Sequence, residues 1–250
     1  MEQTMERRGE IRACQHQVYY CFDALSRHLE VSHGVGTDSL QTMIANDGFV
    51  PCPMFVTWNI VEKTNSSDTV TTEQKGILRG CIGTFSAKPI AQGLEEYAVT
   101  AAVRDTRFPP IRAHELNESL HCSVSLLHSF EEAASWQDWE VGTHGVTITF
   151  SLSQRGNGGL RQYSATFLPE VASEQGWDHL TTITHLIRKS GCDIEYEEDE
   201  VYVYGGMCRG VVLLDTVLQH CLRVERYQSS KCSVSFEEYK EFVLLQGNKE

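Results

Sequence analysis

Residues Leu78-Arg79-Gly80-Cys81-Ile82-Gly83-Thr84 set a thiol between two glycines, with an arginine two positions before it. In an extended segment, residues two apart project from one face. Arg79 and Cys81 are therefore expected side by side, with Leu78, Gly80 and Ile82 turned the other way. A cation beside a thiol favours the thiolate, the nucleophilic and metal-binding form of cysteine. Gly80 and Gly83 lack Cβ and so permit close approach of a ligand or of another chain segment. The same residues also allow a plainer reading, since free cysteine is among the most buried residue types and a glycine can mark a bulge. In that case Cys81 is a core residue and Arg79 is simply solvated.

A second group is Asp105-Thr106-Arg107-Phe108-Pro109-Pro110, which follows a helix end made natural by Pro109. Asp105 and Arg107 are candidates to hold a polar ligand, or to pair with each other or with Arg79. His144, between Thr143 and Gly145, is a candidate base for Cys81, because a cysteine nucleophile needs an imidazole that the fold brings near. His114, His121 and His185 occur singly. No His-Glu-x-x-His pattern and no close cysteine pair at metal-finger spacing is present, so neither a metal nor a cofactor is expected. Six acids in the eight positions from Asp193 to Glu200 lack calcium-loop spacing and read as a solvated loop.

These groups need a scaffold, and 250 residues can bury a sizeable core as one domain with lobes. Hydrophobic residues are 41% and charged residues 22% of the chain, as in a folded globular protein. The formal charge of -13 and pI near 5.2 oppose general attraction to nucleic-acid backbones or anionic membranes. No run approaches the roughly 18 apolar residues that cross a bilayer, and the N-terminus lacks the apolar stretch of a secretory signal. Nine scattered cysteines, an odd number, fit reduced thiols. A cytoplasmic or nuclear location is expected. The expected partner is a small polar ligand or a protein or peptide, with no general nucleic-acid binding and no membrane association.

Val18, Cys21, Phe22, Leu25 and Leu29 recur at helical spacing, and Leu40 to Ala45 suggests a short second helix. Asn46-Asp47-Gly48 is a turn signal. Met54 to Glu62 alternates as a strand covered on both faces, and the polar stretch Asn65 to Lys75 reads as a hairpin loop leading into the strand that carries Cys81. The motif is then expected at the end of a central strand. Ile90, Leu94, Tyr97, Ala98 and Ala101 trace a helical face ending at Arg104. Strands are expected at Leu120 to His128, around Val146, Ile148 and Phe150, and from Tyr163 to Leu168, with a loop from Gln154 to Gly159. Leu180, Ile183, Leu186 and Ile187 mark another helix, and Ser235 with Glu238 reads as a capping box. Helices and hairpins intermixed in this way suggest an α+β or mixed α/β fold.

Outward from the Cys81 motif the chain carries Ala101-Ala102-Val103-Arg104-Asp105-Thr106-Arg107-Phe108-Pro109-Pro110, then Ser123-Val124-Ser125-Leu126-Leu127. Val141-Gly142-Thr143-His144-Gly145-Val146, Phe167-Leu168-Pro169-Glu170-Val171-Ala172, Gly176-Trp177-Asp178 and Arg226-Tyr227-Gln228-Ser229-Ser230-Lys231 follow. This succession resembles the AMMECR domain family, roughly over residues 15–192 and again 223–239. Residues 193–219 depart from the family pattern and are expected to be an insertion in a single domain spanning 1–250. The resemblance implies a two-lobed α+β domain, with a central mixed or antiparallel sheet flanked by helices, in which the glycine-flanked motif borders a cleft. It implies no settled activity. In some prokaryotic relatives the domain is fused to Memo and radical SAM domains, and the human members are linked to the nucleus. On this footing Arg79, Gly80, Gly83, Thr84, Asp105, Arg107 and Phe108 are expected to bind a ligand in a regulatory or recognition role. The alternative is an enzyme with Cys81 as nucleophile or redox thiol and His144 or Asp105 handling protons.

Overall fold

The computed structural model describes residues 11–31, 40, 42–44, 51–61, 76–153, 159–197, 200–204 and 211–247. The expected turn at Asn46-Asp47-Gly48 and the loops at Asn65–Lys75 and 154–158 lie outside the described residues. In chain order the elements are α1 (Gln15–His28), α2 (Leu40 and residues 42–44), β1 (Cys52–Ile60), β2 (Ile77–Lys88), α3 (Ile90–Val103) and β3 (Leu120–Glu132). There follow β4 (Gly145–Ser153), β5 (Leu160–Phe167), α4 (Pro169–Gln175), α5 (His179–Lys189), β6 (Asp193–Glu197), β7 (Glu200–Tyr204) and β8 (Val211–Leu213). The chain ends with α6 (Leu214–Thr216), β9 (Arg223–Ser235) and α7 (Phe236–Gly247). A six-stranded sheet has the order β2-β1-β3-β9-β4-β5, and a three-stranded sheet has the order β6-β7-β8. Helices and antiparallel pairings of this kind make the fold α+β.

Two compact units divide the chain: Met1–Leu127 with Ser230–Glu250, and His128–Ser229. In the first, the strict alternation of β1 buries Met54, Val56 and Trp58 completely on one side, while Phe55, Thr57 and Asn59 on the other side are only partly covered. Full burial of side chains of this size stabilises by roughly 1.5–3 kcal/mol each. The apolar faces of α1 and α3 predicted from their spacing supply the cover, with Val18, Cys21, Phe22, Leu25, Leu94, Ala98 and Ala101 all at 0% exposure. Trp58 is held by its ring N–H, which donates to the Ala98 carbonyl at 2.9 Å, and Phe22 meets its ring edge-on at 5.1 Å. Small alanines on α3 let the helix lie close to the sheet. The Ser235–Glu238 capping box forms: Glu238 accepts from the Ser235 N–H at 2.8 Å and donates its own N–H to Ser235 Oγ at 3.2 Å. It starts α7, which buries Phe236 and Tyr239 against Phe22.

In the second unit, Val146, Ile148 and Phe150 are buried as their alternation predicts. Asp178 caps α5 by accepting from the Thr181 N–H at 2.8 Å. Of the four apolar positions predicted to face inward on α5, Ile183, Leu186 and Ile187 are fully buried and Leu180 is 45% exposed. Among the described residues no helix is long and apolar enough to cross a membrane.

Two expectations need correction. The acidic stretch from Asp193 is not a loop: β6 and β7 pair antiparallel from Asp193 with Tyr204 to Glu197 with Glu200, and β7 pairs in turn with β8. Ile194 and Tyr196 alternate with the acids, and Val201 to Tyr204 are all strand formers, so β propensity outweighs charge there. The Cys81 motif also does not end a central strand. It fills the middle of β2, which stands at the outer edge of the six-stranded order.

Candidate functional site

Thr57 stands opposite Cys81 in the β1–β2 ladder. The Cys81 N–H donates to Asp105 Oδ2 at 2.9 Å and its carbonyl accepts from Arg107 Nη2 at 2.9 Å. Both backbone groups thus face away from β1. In an antiparallel ladder this makes Thr57 and Cys81 a non-hydrogen-bonded pair, the arrangement that brings side chains closest. The Thr57 hydroxyl donates to Cys81 Sγ at 3.2 Å.

The Asp105 side chain is 3% exposed and that of Arg107 is 56% exposed. Arg107 engages Asp105 as a fork, with Nε to Oδ1 at 2.9 Å and Nη2 to Oδ2 at 2.7 Å, and its backbone N–H adds a bond to Oδ1 at 3.2 Å. Those side-chain hydrogen bonds from Arg107, with the backbone donors of Cys81 and Arg107, hold the Asp105 carboxyl far below the usual carboxylate range against the opposing effect of burial. The Arg107 pKa is raised, first by its bonds to Asp105, with a smaller electrostatic contribution from Cys81. Its guanidinium lies 5.3 Å from the centroid of the Phe108 ring, in cation–π range. Among the described residues Nη1 makes no hydrogen bond.

Arg79 has a different place from the one its spacing suggests. The register shifts between the Trp58–Gly80 pair and the Asn59–Leu78 pair, which leaves Arg79 as the extra residue of a β-bulge, a device that re-aims a side chain. Its guanidinium grips Glu115, with Nε to Oε2 at 3.0 Å and Nη2 to Oε1 and Oε2 at 2.9 and 2.7 Å, while Nη1 donates to the Pro109 carbonyl at 2.9 Å. Burial acts to raise the Glu115 pKa, and the Arg112 N–H and Arg79 outweigh it and lower the pKa. The charge of Arg79 is thereby answered by Glu115, and the guanidinium at the Cys81 backbone belongs to Arg107.

A Cβ on Gly80 would lie 1.9 Å from the Ala101 carbonyl oxygen, so this glycine sets the approach of β2 to α3. A Cβ on Gly83 would lie 2.1 Å from the Met54 carbonyl oxygen and 2.5 Å from the Phe55 ring. Thr84 Oγ1 accepts from the Ser86 N–H at 3.0 Å. His144 belongs to the second unit, in a turn where its Nδ1 accepts from the Glu140 N–H at 3.1 Å and its own N–H donates to the Glu140 carbonyl at 2.9 Å. Cys81, Asp105, Arg107 and Phe108 therefore meet in one network, while Arg79 is held apart by Glu115 and the Pro109 carbonyl and Thr84 lies farther along β2.

Sequence reasoning missed Thr57, Ser123, Ser233 and Glu115. Thr57 pairs across β1 with Ser123 of β3, whose hydroxyl donates to Ser233 Oγ of β9 at 3.0 Å. Cys81, Thr57, Ser123 and Ser233 thus form a row of small polar side chains on the sheet face opposite Val56 and Trp58. The polar phase of β1 was the available signal, since Thr57 lies between two core residues. Among the described residues no group of three or more His, Cys, Asp or Glu side chains could hold a metal ion.

A model of the AMMECR1 family matches residues 18–207. An uncharacterised protein of Arabidopsis thaliana is 34% identical over 233 residues, covering 93% of this chain and 90% of its own length. An uncharacterised protein of Saccharomyces cerevisiae is 36% identical over 195 residues, covering 74% of this chain and 69% of its own. The crystal structure of an uncharacterised protein from Pyrococcus horikoshii is similar in fold, with a TM-score of 0.56, 21% identity, and coverage of 87% of this chain and 89% of that one.

Proposed function

The chain belongs to the AMMECR1 family, and we propose that the surface around Leu78–Thr84 in its first unit binds a small polar ligand or a peptide in a regulatory or recognition role. The observation that carries this reading is Arg107. Its guanidinium is fixed by Asp105, the Cys81 carbonyl and the Phe108 ring, yet the side chain is 56% exposed. A cation already held in place binds a carboxylate or phosphate with little further loss of side-chain freedom. Phe108 supplies a packing wall, and Cys81, Thr57 and Thr84 supply polar contacts. Arg79 contributes by tying the bulge to Glu115. The test is a titration with phosphate, dicarboxylates and short peptides followed by amide NMR. Shifts centred on Cys81, Gly83 and Arg107 are expected, and Arg107→Ala abolishes them while retaining the fold. Shifts centred elsewhere, or unchanged in the variant, overturn the reading.

One observation favours a second reading, in which Cys81 is a nucleophile or redox thiol: the Thr57 hydroxyl donates to Sγ, and such a bond stabilises a thiolate. Asp105 makes a poor proton acceptor here because its oxygens already take four donors. Alkylation of Cys81 by iodoacetamide at pH 7 would then outpace that of glutathione and slow in Thr57→Val. Rates no faster than glutathione's would sink it.

A further inference from the structure

The first unit carries four cysteines on or beside α1, β3 and β9: Cys14 just before α1, Cys21 within it, Cys122 on β3 and Cys232 on β9, with Cys21, Cys122 and Cys232 in or against one buried cluster. Cys21 and Cys122 are fully buried, and burial together with contact with Cys21 pushes the Cys122 thiol well up. A buried thiol of this kind is chemically quiet. Cys14 and Cys232 are partly exposed. The Ala13 N–H donates to Ser230 Oγ at 3.0 Å, which sets the start of α1 against β9. Ser230, Cys232 and Val234 share one face of that strand by its two-residue period, and it is the face on which Cys232 packs against the core containing Val18 and Cys21. The Cys232 thiol is pushed up, first by its own burial and then by the charges of Cys14 and Glu238, so Cys14 is the partner placed to attack first.

We propose that Cys14 and Cys232 are a redox-responsive pair that closes to a disulfide in the presence of a low-molecular-weight disulfide, stapling the start of α1 to β9. The thiolate of one cysteine attacks a sulfur of oxidised glutathione, forming a mixed disulfide and releasing one glutathione thiolate. The second cysteine, losing its proton to solvent, attacks the protein sulfur of that mixed disulfide and releases the second glutathione. The two cysteines lose two electrons and two protons, and one glutathione disulfide becomes two thiols. The link fixes α1 at the corner where Tyr19 stacks on Phe242 at 4.5 Å and Phe22 stacks on Tyr239 at 5.4 Å. It closes nearly the whole chain into one loop, so it restricts the unfolded chain strongly.

The full chain is equilibrated in glutathione buffers of rising oxidised fraction, alkylated without reduction and mapped by tryptic mass spectrometry. Fragmentation assigns the bond, since Cys14 and Cys21 share the tryptic peptide 13–27. The expected product joins Cys14 to Cys232, is absent in Cys14→Ser and in Cys232→Ser, and raises Tm by about 5–10 °C, a rise that dithiothreitol reverses. Glutathione adducts on both residues without a crosslink, a crosslink between other cysteines, or an equal rise of Tm in Cys14→Ser would each overturn the proposal.

Discussion

Asp105 and Arg107 together perform the task that a further strand would perform at the edge of a sheet. The Asp105 carboxylate takes the outward Cys81 N–H while its partner Arg107 answers the Cys81 carbonyl, leaving no bare backbone at that position of β2. Because the folded carboxyl has a pKa below its unfolded value, the stability it contributes is complete above about pH 4 and is lost as pH falls toward the folded value. Asp105→Asn is expected to destabilise by roughly 2 kcal/mol at pH 7, through weakened charge-assisted bonds. It should also flatten the loss of stability below about pH 4, as read by urea midpoints across pH. An unchanged acid limb in the variant would show that other carboxylates set it. This pair was legible as chemistry, since Asp105 and Arg107 lie two apart in a short turn. The Arg79–Glu115 grip was not, because a bulge and a partner 36 positions away leave no mark in local spacing.

At the scale of elements, β2 is fitted between α3 on one side and β1 beside it, and Gly80 is the point of tightest fit. Gly80→Ala would place a methyl against the main chain of Ala101, at 1.9 Å from its oxygen, and neither backbone can yield without moving an element. A loss of roughly 3 kcal/mol is expected in urea unfolding. Gly159→Ala, where an added Cβ meets nothing within 4 Å, should stay within about 0.5 kcal/mol and serves as the control. Equal effects of the two would refute the account of β2 packing. Elements whose residue types recur at fixed spacing were readable in advance: α1, α3, β4 and the Ser235–Glu238 cap follow from it, whereas β1, expected to be covered on both faces, is fully buried only on its Met54, Val56 and Trp58 face. The β6–β7 hairpin was obscured because acids mask an alternation that only pairing makes evident. The edge position of β2 depends on strand order, which hydrophobic phase does not encode.

At the scale of the whole molecule, the first unit is discontinuous in sequence. Residues His128–Ser229 lie between its two pieces, and β3 and β9 carry the chain out and back. Its core is completed only by the end of the chain, since Phe236, Tyr239 and Val243 belong to the same buried cluster as Phe22, Val56 and Trp58. The second unit has a cluster of its own, built from residues such as Ile148, Phe150, Tyr163 and Ile183, and the two clusters share no residue. A cavity made at one end of the sequence should therefore be felt at the other end before it is felt in the middle. Phe236→Ala removes a ring that is 2% exposed and packs on Phe22 at 5.5 Å, which should destabilise by roughly 3–5 kcal/mol. In hydrogen exchange, amides of α1, β1 and α3 are expected to speed up by about a hundredfold, with those of β4, β5 and α5 little changed. Uniform acceleration would mean that the two clusters unfold as one cooperative body. Unchanged protection in α1 would mean that the C-terminal helix is dispensable to the unit that holds Cys81 and Arg107.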